Sequence, residues 1–242
     1  MRDYFLHPAQ TNLELYAQVI ECGYGEQERS RLADAYQFAL QQVFPLARGS
    51  GKPFIAHLVG TASLVLASGC SDDWVIAALL HALYQRRIPF IDGLAPPERR
   101  SLLAGRVGRG VDDLVHRYTE FESQNLPEVT GDFINGNTDV VTLRLADELE
   151  DLCYHAPALH GRVTEDDPDI RGSYCWRERV KVAETPALLA LATGLGLDGL
   201  QRGLAHWLDF ASTPTDLRQM RTGWLSSVNL ATENSSRDTG VT

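Results

Sequence analysis

The sequence lacks the cysteine spacing, the long apolar runs and the glycine motifs that mark several large classes of protein. Its four cysteines include no CxxC pair, so we predict reduced, mostly buried thiols in a cytoplasmic protein. No run approaches the ~18 apolar residues of a membrane helix, and the N-terminal residues contain no apolar signal core. The GxGxxG, P-loop and GxSxG motifs are also absent, which removes the most readable signatures of nucleotide binding and of serine hydrolases.

Basic charge is scarce as well. The chain has 22 lysines and arginines against 32 aspartates and glutamates, a formal net charge of −10. This balance argues against a nucleic-acid partner held by a broad basic surface, but not against a small anionic ligand in a local basic pocket. We therefore expect a small-molecule partner and neither nucleic acid nor a membrane, with a homo-oligomer left open.

What the sequence does have is apolar residues at helical spacing along most of its length, and 44% hydrophobic content. No β-alternation persists anywhere, so the predicted fold is an all-α, single-domain orthogonal bundle over residues 1–230. The polar tail 231–242 is predicted to be disordered. The predicted helices are 11–22, 25–44, 57–68, 74–84, 97–105, 111–122, 138–154, 176–194, 197–210 and 217–228. In the first of them, the predicted core-facing residues are Leu13, Leu15, Val19 and Ile20.

Two histidines stand in strongly apolar surroundings. His57 follows a Gly-rich loop and opens one apolar helix, and His81 lies in the last turn of the predicted helix 74–84. That second helix is apolar nearly all round, which predicts the buried centre of the bundle. Imidazole is the commonest metal ligand in proteins, so two imidazoles meeting across a helix pair indicate a candidate metal site.

These residues carry a resemblance to a known family. Ser50–His57 matches a Ser-Gly-x-Pro-aromatic-x-x-His motif, Ala77–Ala82 follows as Ala-Ala-Leu-Leu-His-Ala, and Leu145–Asp147 reads Leu-Ala-Asp. Over roughly residues 35–154 the chain resembles the HD-domain superfamily, most closely its (p)ppGpp-hydrolase branch. The resemblance implies an HD-like bundle in which His57, His81 and Asp147 bind a divalent metal, Mn, Fe or Zn.

The chain also departs from that family. Ala82 stands where the family has the ligand Asp, and Gln85 and Arg86 stand where it has an acidic pair that serves the attacking water. No metal is expected if the missing Asp abolishes binding. A looser likeness exists to HD-like proteins with a His-small-x-Tyr motif, as in His81–Tyr84. Tyr84 lies one turn after His81, where it could orient a ligand or donate a proton in place of the missing acids, so His81 and Tyr84 are the candidate catalytic pair, with core packing as the alternative role of Tyr84.

Four basic residues on two loops are candidate substrate-binding groups. They flank the expected pocket mouth, where guanidinium forks suit phosphate or carboxylate. They are Arg48, Lys52, Arg86 and Arg87.

Other polar residues near the predicted helix 138–154 have less specific roles. Glu148, Glu150 and Asp151 are predicted to form a solvated face of that helix. His155 and His160, past its end, are candidates for additional metal ligands.

Three functional hypotheses follow. The first is an HD-related metalloenzyme with a reduced His, His, Asp site that acts on a small anionic, perhaps phosphorylated, molecule. The second is a metal-free descendant of the HD fold that binds or transforms a small molecule without phosphohydrolysis. The third is a regulatory or partner-binding helical protein whose C-terminal helices form an oligomer interface.

Overall fold

The computed structural model describes residues 2–48, 52–85, 88, 93–122, 136–153 and 186–212, with side chains in the last range as far as residue 207. Within these ranges every regular element is an α-helix. The only β-type pairing there is an isolated bridge between Ala47 and Pro53. The predicted all-α class is therefore confirmed.

The first helix, α1 (Asn12–Glu21), begins with a capping box. The Thr11 hydroxyl accepts a hydrogen bond from the Glu14 N–H, and the Glu14 carboxylate accepts one from the Thr11 N–H. These two bonds satisfy N–H groups that have no partner within the helix. Leu15 and Val19 face the core, as predicted.

Two other apolar residues of α1 do not face the core. Leu13 is 76% exposed and Ile20 is 59% exposed, so the expectation that they are buried is wrong. The polar Gln18 takes a core position instead, and its side chain bonds the Ser63 hydroxyl and carbonyl. A buried amide is tolerated when its hydrogen bonds are made.

The second helix, α2 (Glu26–Val43), leads into the loop that holds two of the four predicted basic residues, Arg48 and Lys52. The Arg48 N–H donates to the Lys52 carbonyl at 2.9 Å, and Phe54 N–H donates to the Leu46 carbonyl at 3.0 Å. The two ends of the loop are thereby tied together, and Lys52 is directed into the protein, where it is 2% exposed.

The centre of the core is formed by α3 (Phe54–Ala67) and α4 (Asp72–Leu80). Every residue of α3 between 57 and 66, and of α4 between 75 and 80, is buried. This confirms that the apolar segment containing residues 74–80 is a central helix. The boundaries differ from the prediction, because α3 starts at Phe54 and α4 ends at Leu80.

His81 is therefore the residue that caps α4, and not part of its last turn. Beyond it the Leu83 N–H bonds the Leu80 carbonyl, three residues back, at 2.9 Å. The α-helical pattern needs a bond four residues back, so the chain continues as tight turns. His81 stays 1% exposed at this change of direction.

Three further helices surround this pair: α5 (Pro96–Val107), α6 (Arg109–Glu122) and α7 (Thr138–Cys153). Helix α7 packs against α3, α6 and the end of α4. All of its residues from 140 to 150 are buried, including charged ones. Since α7 carries Asp147, this packing sets the position of the third predicted ligand.

The described C-terminal part consists of helical residues 186–194, called α8, and α9 (Asp198–Ser212). Helix α9 packs on α7 at Gly203, where an added Cβ would lie 2.7 Å from Leu149 Cδ2 and 2.8 Å from the Phe5 carbonyl oxygen. The predicted helix 217–228 and the predicted disordered tail lie outside the described residues.

No helix in the described part of the chain is both long enough and apolar enough to cross a membrane. Of the three cysteines described, Cys22 is exposed, Cys70 is intermediate and Cys153 is buried. The expectation of mostly buried thiols therefore holds for Cys153 and is wrong for Cys22, while Cys175 lies outside the described residues.

Candidate metal centre

Three helices bring the predicted ligands together. His57 lies in the first turns of α3, His81 directly follows α4, and Asp147 lies in the middle of α7. One ligand atom of each lies within 4.8 Å of the other two, and all three residues are buried. The imidazole rings of His57 and His81 are 5.2 Å apart between centroids and inclined at 75°. The three predicted residues thus form one cluster.

Two of the atoms that face each other in this cluster form no hydrogen bond. Asp147 Oδ1 lies 3.1 Å from His57 Nε2 and 3.6 Å from His81 Nε2. Yet His57 Nε2 and Asp147 Oδ1 are both buried without a hydrogen bond to any described group. Leaving buried polar atoms unpaired costs free energy, so such atoms call for an explanation. Two imidazole nitrogens and a carboxylate oxygen converging in this way fit a divalent cation.

The other polar atom of each of these three side chains lies within hydrogen-bond distance of a neighbouring group outside the cluster. His57 Nδ1 lies 2.6 Å from Glu150 Oε2, and His81 Nδ1 lies 2.7 Å from the Ala78 carbonyl oxygen. The Tyr118 hydroxyl donates a hydrogen bond to Asp147 Oδ2. Metal-binding histidines and carboxylates are oriented by outer hydrogen bonds of these kinds, so the cluster has the surroundings that a metal site needs.

Burial and charge set the protonation of the cluster. Burial lowers the pKa of His81. Burial acts to raise the pKa of Asp147, but His81 and His57 outweigh it and hold that pKa well below its usual range. Burial and the Arg48 guanidinium act to lower the pKa of His57, but Glu150 and Asp147 outweigh them and the pKa is raised. A neutral His81 and an ionised Asp147 are the forms that bind a metal ion, which would displace any proton on His57.

Glu150 is the site residue that the sequence analysis missed. It is fully buried, and its carboxylate accepts hydrogen bonds from the Lys52 ammonium and lies against His57. Burial acts to raise the pKa of Glu150, but Lys52 and His57 outweigh it, so the pKa is lowered. The expectation of a solvated face is wrong for Glu150 and for Glu148, which is 6% exposed and pairs with Arg144.

A second group of possible ligands consists of His57, Glu150 and Asp151. Two basic side chains already serve these carboxylates, because Lys52 pairs with Glu150 and Arg48 pairs with Asp151 at 2.5 Å. The group is therefore an internal ion-pair network, and it lies behind His57 on the side away from Asp147 Oδ1.

The predicted substrate-binding residues have different environments. Arg48 is partly exposed, stacks over the Phe54 ring at 5.8 Å and pairs with Asp151. Lys52 is not at a pocket mouth, because it is buried against Glu150. Arg86 and Arg87 lie outside the described residues, as do His155 and His160.

Tyr84 is directed away from the three-ligand cluster. Its hydroxyl donates to Asp112 Oδ1, whose other oxygen accepts two hydrogen bonds from Arg100, at 3.0 and 2.8 Å. Burial and this bond to Asp112 raise the pKa of Tyr84. The contact joins the turn after α4 to α6, and the structure does not bring Tyr84 together with His57 and Asp147.

Neither the protein-family models nor the curated proteins contain a match to this chain. The case for a function therefore rests on the sequence motifs and on the geometry of the cluster.

Proposed function

We propose that the chain is an HD-related metalloenzyme in which His57, His81 and Asp147 hold one divalent transition metal ion, and that it acts on a small anionic substrate. The observation that carries the proposal is the pair of buried, unsatisfied atoms, His57 Nε2 and Asp147 Oδ1, 3.1 Å apart. Each of these side chains has a hydrogen bond at its other polar atom, and that bond orients the side chain as a metal ligand requires.

The number of ligands favours a small coordination sphere. Tyr118 holds Asp147 Oδ2, which leaves Oδ1 as the ligand atom of that carboxylate. Ala82 offers no ligand atom in place of the Asp that the family resemblance would supply. Two histidines and one carboxylate with open positions are typical of catalytic zinc and of non-haem iron. We therefore propose Zn²⁺ or Fe²⁺ ahead of Mn²⁺, which prefers more oxygen ligands.

His57, His81 and Asp147 would hold the ion. Zn²⁺ at this position would lower the pKa of a coordinated water toward ~7 and would polarise a phosphoryl or carbonyl oxygen. The apolar residues of α3 and α4 around the cluster exclude bulk water and strengthen its electrostatic interactions. We propose Arg48, which is partly exposed and also pairs with Asp151, as the basic group that contacts an anionic substrate.

Elemental analysis tests the proposal directly. Protein purified without chelator is expected to carry close to one transition metal ion per chain, and His57→Ala and His81→Ala are expected to lose it. His116→Ala is the matched control, because His116 lies on α6 and pairs with Glu120. Phosphate release from nucleotide substrates, lost with EDTA and restored by the ion, would establish the activity. Only trace metal in the wild type would refute the proposal.

A metal-free function is the second candidate, and the two carboxylates beside His57 favour it. Asp147 Oδ1 lies 3.1 Å from Nε2 and Glu150 Oε2 lies 2.6 Å from Nδ1, so a protonated imidazole could pair with both without any ion. In that case a small anion should raise the melting temperature of the protein to the same extent with and without EDTA. A rise that EDTA abolishes would exclude this alternative.

A further inference from the structure

We infer that Glu150 is a positioning residue: with Lys52 it fixes the tautomer and the orientation of His57, so that Nε2 faces the metal position. The inference deepens the proposed function, and its metal-binding consequence depends on that function. It rests on contacts of Glu150 that nothing in the local sequence of α7 indicates.

The first observation is the bond between the two side chains. Glu150 Oε2 lies 2.6 Å from His57 Nδ1, and both groups are completely buried. An ionised carboxylate can only accept a hydrogen bond. Two carboxylates lie beside His57, but only Glu150 forms a hydrogen bond with the ring, at Nδ1, whereas Nε2 forms none with Asp147, so the proton of a neutral His57 is placed on Nδ1. The lone pair of Nε2 is then directed away from Glu150, toward Asp147 Oδ1.

The second observation is that Glu150 is itself held at its other oxygen. The Lys52 ammonium donates to Oε1, and the Gln10 amide donates to the same oxygen at 3.3 Å. Each carboxylate oxygen thus has its own partners, which prevents the group from rotating. Lys52 also balances the charge of Glu150, so that a buried carboxylate can stand beside His57 at a much lower cost in free energy.

The third observation is that Gly60 leaves room for the Glu150 side chain. Gly60 lies one turn after His57 on the face of α3 that meets α7. A Cβ at Gly60 would lie 2.6 Å from Glu150 Cγ and 2.8 Å from Glu150 Cδ, closer than atoms can pack. The glycine allows the carboxylate to reach His57 across the helix pair. The bond to His57, the bonds from Lys52 and Gln10, and the space beside Gly60 thus all fix the same position of Glu150.

The test compares Glu150→Gln with Glu148→Gln, a matched change on the same helix at a carboxylate that pairs with Arg144. Glutamine keeps the size of Glu150 but can donate as well as accept, so it no longer selects one tautomer. We expect Glu150→Gln to weaken Zn²⁺ binding about 10- to 100-fold in competition with a chromophoric chelator, and Glu148→Gln to leave it unchanged.

Nitrogen-15 NMR of the imidazole groups supplies a readout that a merely structural role would not change. In metal-free wild type at a pH where His57 is neutral, its proton is expected on Nδ1, and in Glu150→Gln the His57 nitrogen shifts should show loss of that preference. The double variant Lys52→Met/Glu150→Gln, which leaves no unpaired buried charge, should recover folding stability but not Zn²⁺ affinity.

The outcomes separate this inference from the proposed function. Wild type that binds no Zn²⁺ refutes the metal centre, while the NMR comparison still decides the role of Glu150. Wild type that binds Zn²⁺, with Glu150→Gln equal to it in affinity and in the His57 tautomer, overturns the inference and leaves the metal centre intact. Recovery of Zn²⁺ affinity in the double variant would also overturn it, because the loss would then come from an unpaired Lys52.

Discussion

Glu150 fills the space that Gly60 leaves open between α3 and α7. The glycine lies in the buried part of α3, and the distances from its Cβ position to the Glu150 side chain leave no room there for even a methyl group. The approach of the two helices at this point is what allows a residue of α7 to reach the back of His57.

Replacement of Gly60 by alanine is therefore expected to harm both stability and metal binding. The added methyl group should destabilise the protein by about 1–3 kcal/mol through overpacking, and it should push the Glu150 carboxylate away from His57. Urea unfolding followed by circular dichroism gives the first effect, and Zn²⁺ competition gives the second.

Gly105→Ala is the control for helix propensity. Gly105 lies in α5 with open space around its Cβ position, so alanine there should stabilise the protein by about 0.5–1 kcal/mol. A Gly60→Ala protein that is as stable as Gly105→Ala would contradict the close packing described for α3 and α7.

The hydroxyl of Tyr118 is expected to affect metal binding at the proposed site. Tyr118→Phe removes the hydrogen bond to Asp147 Oδ2 inside the core, which should cost about 1–3 kcal/mol of unfolding free energy. The freed carboxylate should also hold Zn²⁺ roughly 10- to 100-fold less tightly. Chemical denaturation measures the unfolding free energy, and competition with a chelator measures the Zn²⁺ affinity.

Tyr84→Phe provides the comparison, since it also removes a hydroxyl that donates to an aspartate. That aspartate, Asp112, keeps its two hydrogen bonds from Arg100. We expect Tyr84→Phe to reduce stability without changing Zn²⁺ affinity. If both tyrosine variants bind Zn²⁺ equally, Tyr118 has no part in orienting Asp147.

Restoring the carboxylate at position 82 tests the family resemblance itself. Ala82 is 1% exposed, so Ala82→Asp should destabilise the metal-free protein by at least ~3 kcal/mol through an unpaired buried charge. The resemblance places a ligand here, so added Mn²⁺ should recover most of that loss. Melting temperatures with and without Mn²⁺ give the answer.

Ala82→Asn, of equal size but neutral, separates ligation from overpacking. It should be destabilised as well, with little recovery on adding Mn²⁺. An Ala82→Asp protein that gains no more from Mn²⁺ than the wild type would place residue 82 outside the metal centre and weaken the resemblance.

The start of α7 should contribute a pH-dependent stabilisation. Burial acts to raise the pKa of Asp139, but hydrogen bonds from Arg117 and from the Val140 N–H outweigh it, so the pKa is lowered. A carboxyl with a lower pKa in the folded state stabilises fully above its unfolded pKa of ~3.9, and this contribution is lost as the pH falls through the folded value.

Asp139→Asn should accordingly lower the unfolding free energy by about 1 kcal/mol at pH ~7, and the difference from wild type should shrink on acidification through the range below pH ~4. Urea titrations of both proteins over that range measure the difference. A gap that stays constant down to the lowest pH would show that Asp139 does not gain its stabilisation from ionisation.

Local patterns were sufficient for most of the helices, whereas the three-residue cluster was predicted from the family resemblance. The helical spacing of apolar residues is visible in the sequence, as are the motifs that contain His57, His81 and Asp147, and the structure confirms that these three residues meet. The end of α4 was placed too late because residues 81–84 continue in tight turns that retain an apolar, helix-like pattern.

Glu150 was missed because helical-wheel reasoning assigns charged residues to solvent. Its partner Lys52 is 98 residues away in the sequence, and no local pattern reveals an ion pair of that kind. Gly60, one turn after a candidate ligand in an otherwise apolar helix, was the available signal for a close helix contact. Leu13 and Ile20 show the opposite error, since apolar spacing alone does not reveal which face of α1 is buried.

The bond from Gln10 to Glu150 makes the N-terminal segment part of the support of the candidate metal centre, although the family-like motifs begin only at Ser50. The Ala9 N–H also donates to the Ser63 hydroxyl at 2.9 Å, which fastens that segment onto α3. A shortened protein that keeps every motif but starts after α1 would thus lose one of the clamps on Glu150. The residues that support the candidate cluster therefore extend well beyond the segment that carries the motifs.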